Sequence, residues 1–220
     1  MSEKEMPVPG PNEIARTSLP DSFDGIRFEI GRLIKYVQEG RKDPLIITAA
    51  QKICEVSIST ARQLKRKVTK DTRELICLEG IHAWCHKNFE HVSNPSNVEI
   101  IKTPARMLRE LEIPEAFAKA FWEPIRDQMA KADGKDPSKL TLPAPRITGS
   151  TAVSSCLVLT LAAAAGISPI RFAFGGHDGS LYYLWGSVFA ADKWRDVDII
   201  LPKFGKREKF GCVEFLDVPI

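Results

Sequence analysis

The stretch GSTAVSSCLVLTLAAAAGI at residues 149–167 lies within the longest uncharged part of the chain and constrains the fold more than any other feature. Ser150 and Thr151 stand where a helix N-cap is preferred, and Gly166 suits the left-handed conformation that commonly ends a helix. The apolar run is shorter than the roughly 20 residues that cross a bilayer, and hydroxyl side chains interrupt it. We therefore expect a helix buried on all sides at the centre of a globular fold.

The first turn of such a helix is a favourable place for a nucleophile. Unpaired N–H groups and the positive end of the helix dipole lower the pKa of a thiol placed there. This chain has Thr151 at that place, and the one cysteine of the stretch, Cys156, follows five residues later. That offset is about 140° around a helix, so we expect Cys156 to point into the core with its thiol protonated.

Composition limits the classes of protein to consider. The chain has 220 residues, 44% of them hydrophobic and 27% charged, which is enough for one large domain. The 31 basic and 28 acidic residues nearly cancel, so net charge does not indicate nucleic acid or a membrane as a partner. Five cysteines without a CxxC pair are expected to be reduced. The acidic, proline-rich N-terminus lacks an export signal, so we expect a cytoplasmic protein.

Residues 1–22 are predicted to form an extended arm, because they are rich in proline and poor in large apolar groups. The arm is either a loose tail or a segment that lies on a neighbouring copy of the chain. Residues 23–220 are expected to form a single domain, with an inserted helix and loop at about residues 111–148. The inserted helix is predicted from Pro114, which precedes apolar residues at intervals of four.

Helical spacing of apolar residues dominates the first half of the domain. The second predicted helix begins with Asp43 as its cap, and the third has Asp71 and Glu74 as a capping box and ends near Phe89. After residue 167 the apolar residues alternate, which predicts strands separated by a glycine-rich turn at residues 175–179. The expected strands cover residues 170–174, 181–189, 197–201 and 212–218. The predicted class is α+β, with N-terminal helices and the buried helix packed on a C-terminal antiparallel sheet.

The third predicted helix carries side chains that could bind a metal ion. His82, Cys85 and His86 are spaced three and four residues apart, which places them within reach of one another. A closed site needs a fourth ligand, for which His91 is the nearest candidate. The alternative is a half-exposed polar edge beside a buried thiol. We expect no cofactor elsewhere in the chain.

The order of the motifs resembles a known superfamily. NPSNVEIIKTPARML is followed by a glycine that opens the buried helix, by a Gly-Ile pair that closes it, and by strands that lead to WRDVD. This set, over about residues 26–198, resembles the transglutaminase-like superfamily, which has a papain-like fold and a Cys–His–Asp triad. It is most similar to the small transglutaminase-like proteins encoded by tailed phages.

The resemblance implies where the triad would lie, and the catalytic Cys and His positions are substituted. Counting back from Gly166 puts the nucleophile position at Thr151, and counting back from Trp194 puts the base position near Leu181. Asp198 matches the third member. A carboxylate without its partners orients nothing, and a triad acts as a unit.

These substitutions and the resemblance imply a catalytically inactive structural component of a tailed-phage particle, in the neck, the tail or the head. Such a protein would occur in the host cytoplasm during assembly and then in the virion. Its partners would be other virion proteins and, through the arm, copies of itself; a membrane is not expected and nucleic acid is not favoured.

Two other functions remain open from the sequence. One is an active thiol hydrolase or acyltransferase that uses Cys156, His177 and Asp198. The other is an accessory protein that binds nucleic acid through the basic residues at 62–70 and 203–209. The first basic stretch has no aromatic side chain to stack on a base, which disfavours that function.

Overall fold

The computed structural model describes residues 14–18, 23–91, 98–111, 136, 147–177, 180–206, 210 and 212–220. The described helices are α1 (Phe23–Gly40), α2 (Pro44–Gln63), α3 (Lys70–Asn88), α4 (Pro104–Leu111) and α5 (Thr151–Ala164). The described strands are β1 (Ile14–Ser18), β2 (Phe89–His91), β3 (Val98–Lys102), β4 (Ile147–Gly149), β5 (Ile170–His177), β6 (Ser180–Ala190), β7 (Lys193–Val197) and β8 (Cys212–Val218).

The four C-terminal strands form one antiparallel sheet with the order β7-β6-β5-β8. Two smaller pairings join distant parts of the chain: β1 pairs antiparallel with β3, and β2 pairs parallel with β4. Helices α1 to α4 precede the larger sheet in the chain. The predicted α+β class, with helices first and an antiparallel sheet last, is confirmed.

Helix α5 is the buried helix expected from the apolar stretch. The Ser150 hydroxyl caps it by accepting hydrogen bonds from the N–H groups of Ala152 and Val153, and every residue from 153 to 163 is buried. The helix contacts α1, α2 and α3, which precede it, and β5 and β6, which follow it. A Cβ at Gly186 of β6 would lie 3.0 Å from a Leu159 methyl carbon, so glycine lets the strand approach the helix closely. Among the described helices, none is long and apolar enough to span a membrane.

The start of α3 differs from the predicted cap. Thr69 is the N-cap, and its hydroxyl accepts a hydrogen bond from the Thr72 N–H at 3.2 Å. In return the Thr72 hydroxyl oxygen accepts from the Thr69 N–H at 2.8 Å. This reciprocal pair replaces the predicted pair of Asp71 and Glu74, because threonine closes the same capping box two residues earlier.

Strand β5 extends further than the sequence predicts. The glycine-rich residues 175–179 are expected to form a turn, but β5 continues to His177 and still pairs with β6 and, through Gly176, with β8. The pairing with β6 shifts register between Gly175 and Gly176, as in a β-bulge. Glycine there accommodates the irregular strand rather than ending it.

Helices α2 and α3 form a hairpin and contact each other closely at Gly80. A Cβ added at Gly80 would lie 1.7 Å from the Ser57 Oγ atom and 2.8 Å from the Ser57 Cβ atom. The Ser57 hydroxyl also donates a hydrogen bond of 2.6 Å to the Ile53 carbonyl oxygen, one turn earlier in α2. The absence of a side chain at Gly80 therefore sets how closely the two helices approach.

Much of the expected arm and insertion lies outside the described residues. Of residues 1–22, the structure describes β1, whose Ile14 lies opposite Lys102 and whose Ser18 lies opposite Val98 of β3. Of residues 112–146, it describes residue 136 alone, so the helix predicted from Pro114 is not among the described elements.

Candidate functional site

The start of α5 is joined to strand β6 by a buried hydroxyl group. Thr151 is the first residue of the helix, directly after the Ser150 cap. Ser155, one turn later, places its Oγ atom 2.7 Å from the Thr151 carbonyl oxygen and 3.2 Å from the Leu184 carbonyl oxygen. The Ser155 hydroxyl thus lies between a carbonyl oxygen of α5 and one of β6. Thr151, the nucleophile position implied by the resemblance, therefore lies close to β6.

Asp198 follows β7 and is held in a turn. The sequence predicts a strand over residues 197–201, but β7 ends at Val197 because the Asp198 Oδ1 atom accepts a hydrogen bond from the Ile200 N–H at 3.1 Å. The Oδ2 atom accepts a second hydrogen bond, from the Tyr183 hydroxyl, at 2.8 Å. Only 4% of Asp198 is exposed, and each of its carboxylate oxygens accepts a hydrogen bond from another residue of the fold.

The buried position changes the acidity of Asp198. Burial disfavours the charged carboxylate and raises the pKa of Asp198 above its ordinary value. Hydrogen bonds from the Tyr183 hydroxyl and the Ile200 N–H, together with the nearby His82, act in the opposite direction. The carboxylate therefore depends on these donors to stay charged in its site.

The side chain that contacts Asp198 is not the one indicated by counting along the sequence. Counting from Trp194 points to Leu181, whose side chain lies outside the described residues, whereas Tyr183 makes the hydrogen bond. Tyr183 lies opposite Gly175, and Leu181 lies opposite Gly176, so two residues advance on β6 for one on β5. The pairing that bears on Asp198 is that of β6 with β7, in which Gly186, three residues after Tyr183, lies opposite Val197.

Thr151, Tyr183 and Asp198 do not form a proton relay at neutral pH. In a Cys–His–Asp triad the acid orients an imidazole that removes a proton from the nucleophile. A phenol has a pKa of about 10, and here it donates its own proton to the carboxylate. Thr151 is a weak nucleophile unless a base is adjacent. The hydrogen bonds to Asp198 from Tyr183 and Ile200 stabilise the turn.

Cys156 lies further along α5, where the helix packs against α1. It is fully buried, and its Sγ atom is 3.9 Å from the Leu33 carbonyl oxygen of α1. Burial raises the pKa of Cys156 to about 12, against a smaller opposing effect of Thr160. His177 is the last residue of β5, and its side chain lies outside the described residues. The structure therefore places Cys156 against α1, while Asp198 contacts β6.

Two histidines of α3 hold the turn after β7. The His82 Nε2 atom donates a hydrogen bond to the Asp198 carbonyl oxygen at 3.0 Å, and the His86 Nδ1 atom donates one to the Ile199 carbonyl oxygen at 2.8 Å. Their rings are parallel within 5°, with centroids 6.2 Å apart, and the edge of Phe204 packs against His82. These contacts connect the helical layer with the end of the sheet, a role that sequence spacing does not reveal.

The metal site considered for α3 is not assembled by the described residues. Among them, no group of three or more His, Cys, Asp and Glu side chains is placed to hold an ion. His82 and His86 each use one ring nitrogen for a carbonyl oxygen, and Cys85 is fully buried, which raises the pKa of its thiol. The side chain of His91 lies outside the described residues.

We expect His82 to make stability depend on pH. Burial lowers its pKa below the value of about 6.5 expected in the unfolded chain. As pH falls, the unfolded chain therefore takes up a proton on His82 before the folded chain does. The stability that neutral His82 contributes is fully present above about pH 6.5. Below that pH the free energy of unfolding falls by at most about 1.4 kcal/mol per pH unit. Urea unfolding at several pH values should show a steeper loss for the wild type than for His82→Gln, whose amide can still donate to Asp198. Equal slopes would contradict this role.

The outer face of the sheet carries an exposed aromatic cluster. The Arg171 guanidinium carbon lies 3.7 Å from the ring centroid of Trp194 and 3.7 Å from that of Phe215. Trp194 is 36% exposed and Phe215 is 44% exposed. Tryptophan, phenylalanine and arginine are enriched where proteins contact one another. This cluster is therefore suited to contact with another protein.

Comparison with known proteins gives no relative for this chain. No protein-family model, no curated protein and no solved structure matches it. We therefore argue the function from two features of the structure. These are the contacts of Thr151, Tyr183 and Asp198, and the exposed surfaces.

Proposed function

We propose that this chain is a catalytically inactive transglutaminase-like protein that serves as a structural component of a tailed-phage particle through protein–protein contacts. The observation that carries the proposal is the hydrogen bond of 2.8 Å between the Tyr183 hydroxyl and Asp198. In this proposal the phenol takes the position of the catalytic base, beside a helix that begins with threonine instead of cysteine.

The connections between elements support the finer, papain-like fold. Such a fold places the nucleophile at the start of a buried helix and the base and acid on neighbouring antiparallel strands. Here α5 begins at Thr151 and is joined through Ser155 to β6. Strand β6 pairs with β7, which leads directly into Asp198. Thr151, Leu181 and Asp198, the positions named by the resemblance, thus belong to adjoining elements in the order nucleophile, base and acid.

A place in the neck, the tail or the head would make other virion proteins the partners. The exposed Trp194 and Phe215 beside Arg171 support such contacts. The chain would be present in the host cytoplasm during assembly and in the virion afterwards. The alternative of a thiol enzyme that uses Cys156 has less support, because that thiol is fully buried with a raised pKa.

Mass spectrometry of purified particles tests the proposal. Virions of the phage that encodes the chain are banded in a density gradient, washed with high salt and digested. We expect peptides of this chain in the particles at a fixed ratio to the major capsid protein, and a non-structural phage protein of similar abundance serves as the control. If the chain is abundant in the lysate but missing from washed particles, the structural role is wrong.

A further inference from the structure

Helices α2, α3 and α4 enclose an open groove of about 690 Å³. Its surface is mainly apolar, with Leu45, Ile53, Ile76 and Leu108 among the side chains that line it. The groove lies in the helical layer and does not include the Tyr183–Asp198 contact. The groove is therefore a separate surface, and the triad positions named by the resemblance do not account for it.

The dimensions of the groove favour a helix as its occupant. Residues of α2 line it from Leu45 to Ala61, and Leu64, directly after the helix, extends the same wall, so the wall covers almost the full length of α2. At 1.5 Å per residue this wall is about 28 Å long, the length of a helix of about five turns. A compact small molecule would fill only part of such a groove, whereas an amphipathic helix would cover its whole length.

The rim of the groove leaves large apolar side chains in water. Val56 is 60% exposed and Leu64 is 68% exposed, the highest values among the large apolar side chains of the described residues. Val56 belongs to α2 and Leu64 is the residue directly after it, and both line the groove. Exposed apolar side chains beside an apolar groove are typical of a surface that another protein covers.

The charges around the groove indicate the chemistry of that protein. Lys52 and Arg66 line the groove, and Glu79, the only acidic side chain among its described lining residues, is paired with Arg66 at 2.7 Å. The described end of the groove at Leu64 continues into further exposed basic residues, namely Arg62, Lys65, Lys67 and Lys70. Glu55 and Glu74 are also exposed in this region, but its described charged residues are mostly basic, which favours a partner that carries carboxylates.

We propose that this groove binds an amphipathic helix of another virion protein, one that carries acidic side chains beside its apolar stripe. The identity of the partner as a virion protein rests on the proposed function. The apolar stripe would cover Val56 and Leu64, and the carboxylates would lie along Lys52 and the basic residues that follow α2. The basic stretch at residues 62–70 then acts in protein recognition.

Binding of model peptides to the full chain tests the chemistry. Two synthetic amphipathic helices of about 18 residues share one leucine stripe and differ in having glutamate or lysine at the flanking positions. Fluorescence anisotropy should show the glutamate peptide binding at least about tenfold more tightly, a difference of about 1.4 kcal/mol. Equal affinities, or tighter binding of the lysine peptide, would overturn the proposal.

Substitutions locate the binding on the groove. Val56→Asp together with Leu64→Asp should weaken the glutamate peptide at least about tenfold, and both side chains are exposed enough for the fold to tolerate the change. The matched control is Ile220→Asp, an exposed apolar residue that follows β8 and does not line the groove, which should leave the affinity unchanged. Circular dichroism checks that each variant is folded. If the control weakens binding as much as the groove variant, the site is wrong.

Cross-linking in particles identifies the natural occupant. A photoreactive phenylalanine derivative replaces Leu64, and the cross-linked peptides are sequenced. A cross-link to an acidic amphipathic segment of a different virion protein supports the proposal, whereas a cross-link to residues 112–135 of the same chain, or to a second copy, overturns it. Absence of the chain from washed virions would overturn the proposed function, whatever the peptides show. If the chain is present in virions but neither peptide binds, the proposed binding at the groove is wrong and the proposed function is unaffected.

Discussion

Replacing Thr151 with Cys and Tyr183 with His in one chain should create a thiol that iodoacetamide labels at pH 6 at least about tenfold faster than the thiol of Thr151→Cys alone. An ordinary thiol is less than about 1% ionised at pH 6. The double variant places the new thiol in the first turn of α5 and an imidazole on Asp198, so most of the thiol should ionise. Labelling at residue 151 is followed by mass spectrometry, which separates it from other cysteines.

Two matched variants test the geometry behind this expectation. Thr151→Cys with Leu181→His puts the imidazole at the position that counting along the sequence indicates, and it should label no faster than Thr151→Cys alone. Adding Asp198→Asn to the reactive variant should slow labelling, because the imidazole loses the carboxylate that orients it. Equal rates for the Tyr183→His and Leu181→His combinations would contradict the papain-like arrangement.

Replacing Gly80 with Ala should lower the free energy of unfolding by about 2 kcal/mol. Inside an ordinary helix the same change stabilises by about 1 kcal/mol, so the expected sign is reversed. The new Cβ would lie 1.7 Å from Ser57 Oγ and 2.8 Å from Ser57 Cβ, and rotating the hydroxyl relieves only the first contact. Helices α2 and α3 would have to move apart.

Urea unfolding measures this effect, and the chain offers two controls. Gly31 in α1 has no atom within 4 Å of an added Cβ, so Gly31→Ala should stabilise by about 0.5–1 kcal/mol. Adding Ser57→Gly to Gly80→Ala moves the small residue to the facing helix and should restore most of the lost stability. A Gly80→Ala protein as stable as the wild type would show that the helices do not need this close approach.

The elements of this fold were predictable where local chemistry decides them. The apolar stretch with Ser150 at its start gives α5, and Asp43 caps α2 as its side chain predicts, accepting from the Leu45 N–H at 2.8 Å. The alternation of apolar residues after residue 167 gives the strands. Boundaries were less predictable, because Thr69 competes with Asp71 for the same capping role, and both are good caps.

The contacts of the site depend on distant parts of the chain and so were not predictable. Tyr183 reaches Asp198 because β6 pairs with β7 so that Gly186 lies opposite Val197, a register that no local pattern fixes. His82 and His86 resemble metal ligands by spacing, yet they bind carbonyl oxygens more than 100 residues away. The groove likewise depends on how closely α2 and α3 approach at Gly80, which only the assembled helices reveal.

The burial of α5 has a consequence for synthesis on the ribosome. Helices α1 to α3 leave the ribosome before α5, but β5 and β6, which cover its remaining surface, are made after it. Synthesis of the intervening chain takes on the order of a few seconds, and for that time an apolar helix lacks part of its cover. Such surfaces are where nascent chains aggregate or recruit chaperones. The yield of folded protein should therefore depend on how quickly translation delivers the C-terminal strands.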